Sequence, residues 1–448
     1  LGQTGGADAL AILLKATESA DRFRRHAATL FLGRIGGPAA GARLRAILEK
    51  ETDRFVLAAA ADALEQVGGK EALAASAKFR QGDAGLPKLA YRPRNKRLGP
   101  EFPANKWVDL KIRIRAFANY GEMGWNYDAA NRLFFRYGGC SGYTNELTVF
   151  DLGTETFVQR RPNEEMAGWE DRRPPRGCSA GRTWDPYLKV AWIGPSIGGT
   201  AVDVAIAEYY NRNGDYALSS YDLATDRFRA AARGVNCRRY AYDWKHGLLM
   251  PVKFTHPVYK TKDWQVLDTR AADPYAASAW RKKTNQAGAY PFSAAVGDTT
   301  AAVDQDSGLT VLFVPAHTDK RTKKELPAET WTYDPVGNVW KNMQPKHQPP
   351  PRVWGSGFVY DPFNKVLILQ AGKKVSQYGG DKDSVTWVYD VRTNTWTDAA
   401  PGGGPGNPWV GAMAFDPEHN AAVLFDYGRK TVWAYRYKGV PADRQGRK

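Results

Sequence analysis

Val353 to Gly372 reads V-W-G-S-G-F-V-Y-D-P-F-N-K-V-L-I-L-Q-A-G, and after a polar loop Asp383 to Trp396 reads D-S-V-T-W-V-Y-D-V-R-T-N-T-W. The first half predicts a strand ending at Tyr360, a turn over Asp361-Pro362-Phe363-Asn364 and a second apolar strand from Val366 to Leu369, closed by Gly372. Pro362 presets φ for the turn, and the Asp361 carboxylate can accept from the backbone two residues on. The second half predicts a third strand, Val385 to Tyr389, a turn from Asp390 to Asn394, and a fourth strand opened by Trp396. Four short antiparallel strands form a sheet too small to cover both of its faces. Such a unit has to stack on copies of itself.

The copies are present. Aligned on an apolar residue followed by Asp, the chain gives Tyr127-Asp128, Trp184-Asp185, Tyr242-Asp243, Val303-Asp304, Tyr360-Asp361 and Phe415-Asp416. The Asp residues are spaced by 57, 58, 61, 57 and 55 positions, and each is followed by an apolar strand. Gly124, Gly181 and Gly357 stand four residues before their Asp, with Ala412 beside Gly411 in the last copy, as suits a crowded innermost strand. A second motif, Asp with an aromatic six residues later, recurs as Asp151/Phe157, Asp222/Phe228, Asp334/Trp340 and Asp390/Trp396. The copy that starts near Cys237 departs from it, since Asp268 meets Pro274 at that spacing.

The pattern resembles the kelch repeat over residues 105–438. The residues that carry the likeness are Gly138-Gly139, Tyr389-Asp390, Trp396, and the Pro-Pro-Arg runs ending at Arg176 and Arg352. The resemblance implies a β-propeller of the class that includes the central domain of galactose-oxidase-like enzymes, and the six recurrences set its blades at six. Kelch propellers host binding modules and enzymes alike, so it implies no single activity.

Residues 1–82 are of another kind, rich in Ala, Leu and Arg, with Gly-Gly at Gly5-Gly6, Gly36-Gly37 and Gly68-Gly69. Helical patterns run over Ala7 to Thr17, Arg22 to Ile35, Ala39 to Glu51, Arg54 to Val67 and Lys70 to Arg80, with Asp21 and Asp53 placed as N-caps. This resembles short HEAT repeats of the bacterial, PBS-lyase-like type. A fragment of an α-solenoid is the expectation, and so short an array is marginal by itself. A chain that opens on Leu1 without Met reads as a processed or partial product.

Residues 83–104 form a basic, Pro-rich linker, which Arg92, Arg94, Lys96 and Arg97 are expected to keep extended and wet. Next comes Asn105-Lys106-Trp107-Val108-Asp109-Leu110, which looks like Asn394-Thr395-Trp396-Thr397-Asp398-Ala399 and reads as an outer strand with no blade before it. The last blade lacks an outer strand after Trp433-Ala434-Tyr435. The fold class is therefore multidomain α and β, a solenoid fragment followed by an all-β six-bladed propeller closed by an N-terminal strand, with a basic tail over 439–448.

Composition narrows function. The 448 residues carry a net charge of +16, and residues 1–100 hold 17 Lys and Arg against 10 Asp and Glu. That charge favours anionic partners, an acidic protein or a polysaccharide. No nucleic-acid motif accompanies it, so nucleic acid is set aside. No run is long and apolar enough for a membrane span. Cys140, Cys178 and Cys237 have no C-x-x-C spacing; Cys178 and Cys237 lie near the starts of neighbouring innermost strands, either paired or as buried thiols.

Convergent polar groups in a propeller lie on the loop face. The long loops here hold His256 and His317, and no spacing among these or His347 marks a metal site. Tyr143 and Tyr137 flank Cys140, without the His pair that a galactose-oxidase-like copper site requires. Arg176, Arg233 and Arg352 precede first strands, where a sialidase-like site would place an Arg triad, but S-x-D-x-G-x-T-W is missing. Trp354 and Trp409 each stand seven residues before their blade's Asp. Aromatic residues beside Arg suit a binding hot spot. The sequence thus points to a non-catalytic binding or scaffold protein without cofactor, periplasmic or extracellular, with a carbohydrate-acting propeller enzyme as the alternative. Arg176, Arg233, Arg352, Trp354, Trp409, His317 and Tyr143 are the candidate contacts.

Overall fold

The computed structural model describes residues 6–114, 124–139, 144–161, 182–194, 218–231, 237–254, 263–284, 300–318, 323–349, 357–372, 384–399, 404–405, 413–427 and 429–439. Contacts divide the chain into two compact units: residues 1–87 with 221–227, and residues 88–220 with 228–448.

The first unit contains five helices: α1 (Ala7–Ala16), α2 (Arg22–Ile35), α3 (Gly37–Lys50), α4 (Arg54–Val67) and α5 (Lys70–Gly82). Asp21 and Asp53 cap α2 and α4, each carboxylate accepting from the amide of a Phe two residues on, Phe23 and Phe55. The Gly-Gly pairs make the corners: Gly36, Gly37, Gly68 and Gly69 all have φ between +68° and +84°, which side chains resist. One helical pair is tied to the next by a ladder at the repeat period. Arg22 Nε lies 2.9 Å from Asp53, and Arg54 Nη2 lies 2.7 Å from Asp83. Leu32, Leu44, Val56 and Leu64 fill the core between the helices, and His26 is buried flat on Phe55 at 3.8 Å.

The second unit is built of six four-stranded antiparallel sheets. Their innermost strands are Asn126–Asp128, Arg182–Asp185, Cys237–Asp243, Thr300–Asp304, Gly357–Asp361 and Met413–Asp416. Each innermost strand touches those of both neighbouring blades, the first against the sixth included. In the sixth sheet the outer position is taken by Lys106–Arg113, antiparallel to Thr431–Arg436, with Trp107 opposite Tyr435 and Asp109 opposite Trp433.

The recurring Asp is explained by the turn it holds. Asp128, Asp185, Asp243, Asp361 and Asp416 each accept from backbone amides two and three residues on, and Asp304 accepts from the amide of Asp306. Four residues after each Asp the chain turns left-handed, at Arg132, Lys189, Gly247, Gly308, Lys365 and Asn420. The turn of the opening stretch thus pivots on Lys365 (φ 56°), one residue beyond the predicted span. The second hairpin of a blade repeats the geometry at Glu155, Asp226, Asn338 and Asn394.

The departing third blade regains its aromatic. Tyr389 faces Trp396, Tyr333 faces Trp340 and Phe150 faces Phe157 across the outer pair of strands. In the third blade Leu267 faces Trp280, so Trp280 holds the position that spacing assigned to Pro274. The residues between Asp268 and Trp280 are an insertion in the turn. Flat rings fill the seams between blades: Trp125 stacks on Phe425 at 4.1 Å, and Phe313 meets Trp396 edge-on at 5.5 Å. Two outer-strand tryptophans also donate across a seam, Trp107 Nε1 to Thr386 Oγ1 (2.8 Å) and Trp396 Nε1 to Thr330 Oγ1 (2.9 Å).

The linker differs from its sequence reading. Arg92, Lys96 and Arg97 are exposed, but Arg94 is folded onto the propeller as a fork. It reaches Asp151 of the first blade (2.8 and 3.0 Å) and Glu418 of the sixth (2.8 and 3.0 Å). The Asn95 amide donates to His419 Nε2. Arg436, 1% exposed, donates to the carbonyls of Leu98, Gly99, Phe102, His419 and Asn420. Charge that composition assigns to solvent is here spent on buried carboxylates and carbonyls.

Candidate functional site

All six innermost strands contribute to one cavity of about 240 Å³. Ala129, Trp244, Gln305, Pro362 and Pro417, each the residue after a recurring Asp, line it from the first-hairpin turns, and Leu89 of the linker joins them. The cavity therefore lies towards the turn end of the ring, against the linker.

Its walls are aromatic. The residue before the Asp supplies Tyr127, Trp184, Tyr242, Tyr360 and Phe415, and neighbouring positions add Trp125, Tyr240, Trp244 and Phe358. Trp184 and Trp244 meet edge to face at 5.5 Å. Asn126, Thr183 and Gln305 are the polar side chains of the lining, which among the described residues contains no Asp, Glu, Lys, Arg or His. The Gln305 amide is committed: it donates to the Tyr242 carbonyl and accepts from the Trp244 amide.

The tyrosines alternate round the ring. Tyr127, Tyr242 and Tyr360 belong to the first, third and fifth blades, and each senses a carboxylate of the blade before it: Asp416, Asp185 and Asp304. Burial, reinforced by those carboxylates, holds all three phenols above their ordinary range. These hydroxyls keep their protons near neutrality and do not act as bases. The Tyr242 hydroxyl lies 2.6 Å from Thr269 Oγ1. The Tyr127 hydroxyl faces the Asp416 carboxylate, and the Trp184 Nε1 is buried without a hydrogen-bond partner among the described residues.

Asp416, Glu418 and His419 bring three potential metal ligands within 4.8 Å of one another. Their atoms are already engaged. His419 Nε2 accepts from the Asn95 amide, which leaves the proton on Nδ1, 2.7 Å from Asp416; Glu418 is held by Arg94 and Arg132. This donor set fits a structural clasp better than a metal.

Of the candidate contacts named from sequence, Arg176, Arg233, Arg352, Trp354, Trp409 and Tyr143 lie outside the described residues. His317 belongs to a short strand, His317–Thr318, paired with Glu325–Leu326, and its side chain lies outside them. So do Cys140, Cys178, His256 and the side chain of Cys237. His347 is exposed, while His246 and His419 sit in first-hairpin turns and bond to Asp243 and Asp416. In the sequence the cavity aromatics read as phase markers of the repeat, which masks them as a site. Their recurrence directly before a turn Asp was the available signal.

A family model for HEAT repeats matches residues 1–65, and the chain carries such repeats at its N-terminus. No curated protein matches the sequence. Solved structures with a similar fold include Kuenenia stuttgartiensis hydrazine synthase, 11% identical over 71% of this chain and 78% of that one, at a TM-score of 0.41. A Bacteroides thetaiotaomicron protein of unknown function is 8% identical over 78% of this chain and 75% of that one, at 0.43. TolB from Acinetobacter baumannii is 11% identical over 70% and 65%, at 0.38. At that level of likeness none carries an argument about what this chain does.

Proposed function

We propose that this chain is a non-catalytic binding subunit in which a kelch-type propeller and HEAT repeats hold a protein or other anionic partner within a larger assembly. The observation that carries the reading is the chemistry of the cavity to which all six innermost strands contribute. Glycoside hydrolysis needs two carboxyl groups free to act on either side of a bond. The cavity lining presents rings instead, and the Asp residues behind it are occupied by the amides of their own turns. The ring is thereby a rigid frame for loops, and a net charge of +16 favours an anionic surface.

Arg176, Arg233, Arg352, Trp354, Trp409, Tyr143 and His317 are the contacts assigned to the partner, and the compartment assigned is the periplasm or the cell exterior. Partners cross-linked to the full chain in its own cells, recovered separately from envelope and cytoplasm, test both assignments. Arg352→Ala and Trp409→Ala are each expected to weaken binding by about 1 kcal/mol or more, with affinity falling as salt rises. Unchanged affinity in both variants, or turnover of a glycan by the purified chain, would refute the reading.

A further inference from the structure

The cavity has an electrostatic character opposite to that of the chain. In a protein of net charge +16, no cationic side chain is found among its described lining. The indoles of Trp125, Trp184 and Trp244 and the phenols of Tyr127, Tyr242 and Tyr360 wall it, and aromatic faces are the negative part of a ring's quadrupole. Immediately after the innermost lining positions come six carboxylates, one per blade, none more than 2% exposed. His246 and His419 hydrogen-bond to Asp243 and Asp416 through Nδ1, and Asp185 is held by neutral donors, the amides of Tyr187 and Leu188 and the Trp192 indole. Burial disfavours the ionised form of Asp185 and Asp243 and holds both above the usual carboxylate range. The buried Tyr127 hydroxyl, which faces the Asp416 carboxylate, belongs to the same wall.

We propose that this cavity binds a substituted ammonium group, alone or as the head of a larger molecule. Rings backed by carboxylates attract a cation that sheds its water readily, as an alkylated ammonium does. An inorganic cation would need converging oxygens. The volume of about 240 Å³ is below the range of roughly 300–1,000 Å³ for whole drug-sized ligands, and so suits a head group.

The test titrates the full chain by calorimetry with choline and with its neutral carbon isostere, 3,3-dimethyl-1-butanol. Choline is expected to bind saturably, tetramethylammonium to compete with it, and the isostere to bind about tenfold more weakly. Trp244→Leu should lose about tenfold for choline while Trp244→Phe keeps most of the affinity, both variants retaining the native circular dichroism. Choline binding should survive Arg352→Ala and Trp409→Ala, which separates this site from the partner contacts. Equal binding of choline and the isostere would make the cavity merely apolar. Absence of saturable choline binding to the folded chain, or wild-type affinity in Trp244→Leu, would overturn the proposal.

Discussion

Arg94→Ala should be among the most damaging single substitutions in the linker, because one guanidinium there answers two buried carboxylates. The Asp151 side chain is fully buried and that of Glu418 is 5% exposed, and Arg94 forks onto both with four contacts between 2.8 and 3.0 Å. Burial disfavours the guanidinium charge, yet the two carboxylates outweigh it and hold the pKa of Arg94 above its ordinary value. Removing one partner of a buried pair costs about 3–5 kcal/mol, since the other charge is left uncompensated. Arg94 is 26% exposed, and Arg132 still faces Glu418 at 3.3 Å, so the low end, about 3 kcal/mol, applies. Lysine restores a point charge but cannot fork, and Arg94→Lys should recover less than half of the loss. The assay is urea unfolding followed by tryptophan fluorescence. All 15 Trp lie between Trp107 and Trp433, outside the helical unit, so the signal reports on the propeller alone. Arg92→Ala, an exposed neighbour whose backbone amide still donates to the Glu418 carbonyl, should stay within about 0.5 kcal/mol. A loss below about 1 kcal/mol for Arg94→Ala, or an equal loss for Arg92→Ala, would refute the clasp.

Three further outcomes are expected. Gly33→Ala brings a Cβ within 2.7 Å of the Ala63 Cβ and 2.8 Å of its Cα, so overpacking between α2 and α4 should cost about 1–3 kcal/mol in unfolding followed at 222 nm; Gly41→Ala, whose new Cβ meets nothing nearer than 3.5 Å, should be neutral or stabilising by up to about 1 kcal/mol. Trp280→Ala should destabilise the propeller by about 3 kcal/mol while Pro274→Ala changes little, and the reverse order would refute the register that places Trp280 opposite Leu267. Burial raises the Glu51 pKa, but the amides of Asp53 and Thr52 and the Arg25 guanidinium outweigh it and leave the folded value below 4.5. Its stabilisation is therefore complete above the unfolded pKa and is lost as pH falls through the lower folded one. Helix melting at 222 nm should move to lower temperature below about pH 4.5, and Glu51→Gln should flatten that slope.

What the sequence makes legible here is local chemistry. An Asp that bonds the amides of its own turn leaves its mark within a single turn, and six such turns at near-constant spacing specify six blades. Asn338, Asn394 and Asn420 announce their left-handed turn position, since Asn tolerates it. Arg132, Lys189 and Lys365 occupy the same conformation with no such announcement, because the flanking strands impose it. Asp53 shows the limit of local reading within one residue. Its capping of the Phe55 amide is visible from position alone, whereas its bond to Arg22, 31 residues earlier, emerges only once the repeat period is used as a ruler.

Contacts without a period leave no sign. Arg94 finds carboxylates 57 and 324 residues away, and in a Pro-rich basic segment its composition argues for solvent. Trp280 was hidden by an insertion that lengthens one turn and breaks the count without changing the register. The cavity was hidden differently. Each of its rings appears in the sequence as an ordinary strand residue before a turn, with packing as its sufficient reason. Only closure, which sets the innermost strand of the first blade against that of the sixth, turns six separate rows of side chains into one wall. The site is thus a property of the ring and of no single repeat, and the variation among Tyr127, Trp184, Tyr242, Val303, Tyr360 and Phe415 is where one propeller can differ from another while every turn Asp stays in place.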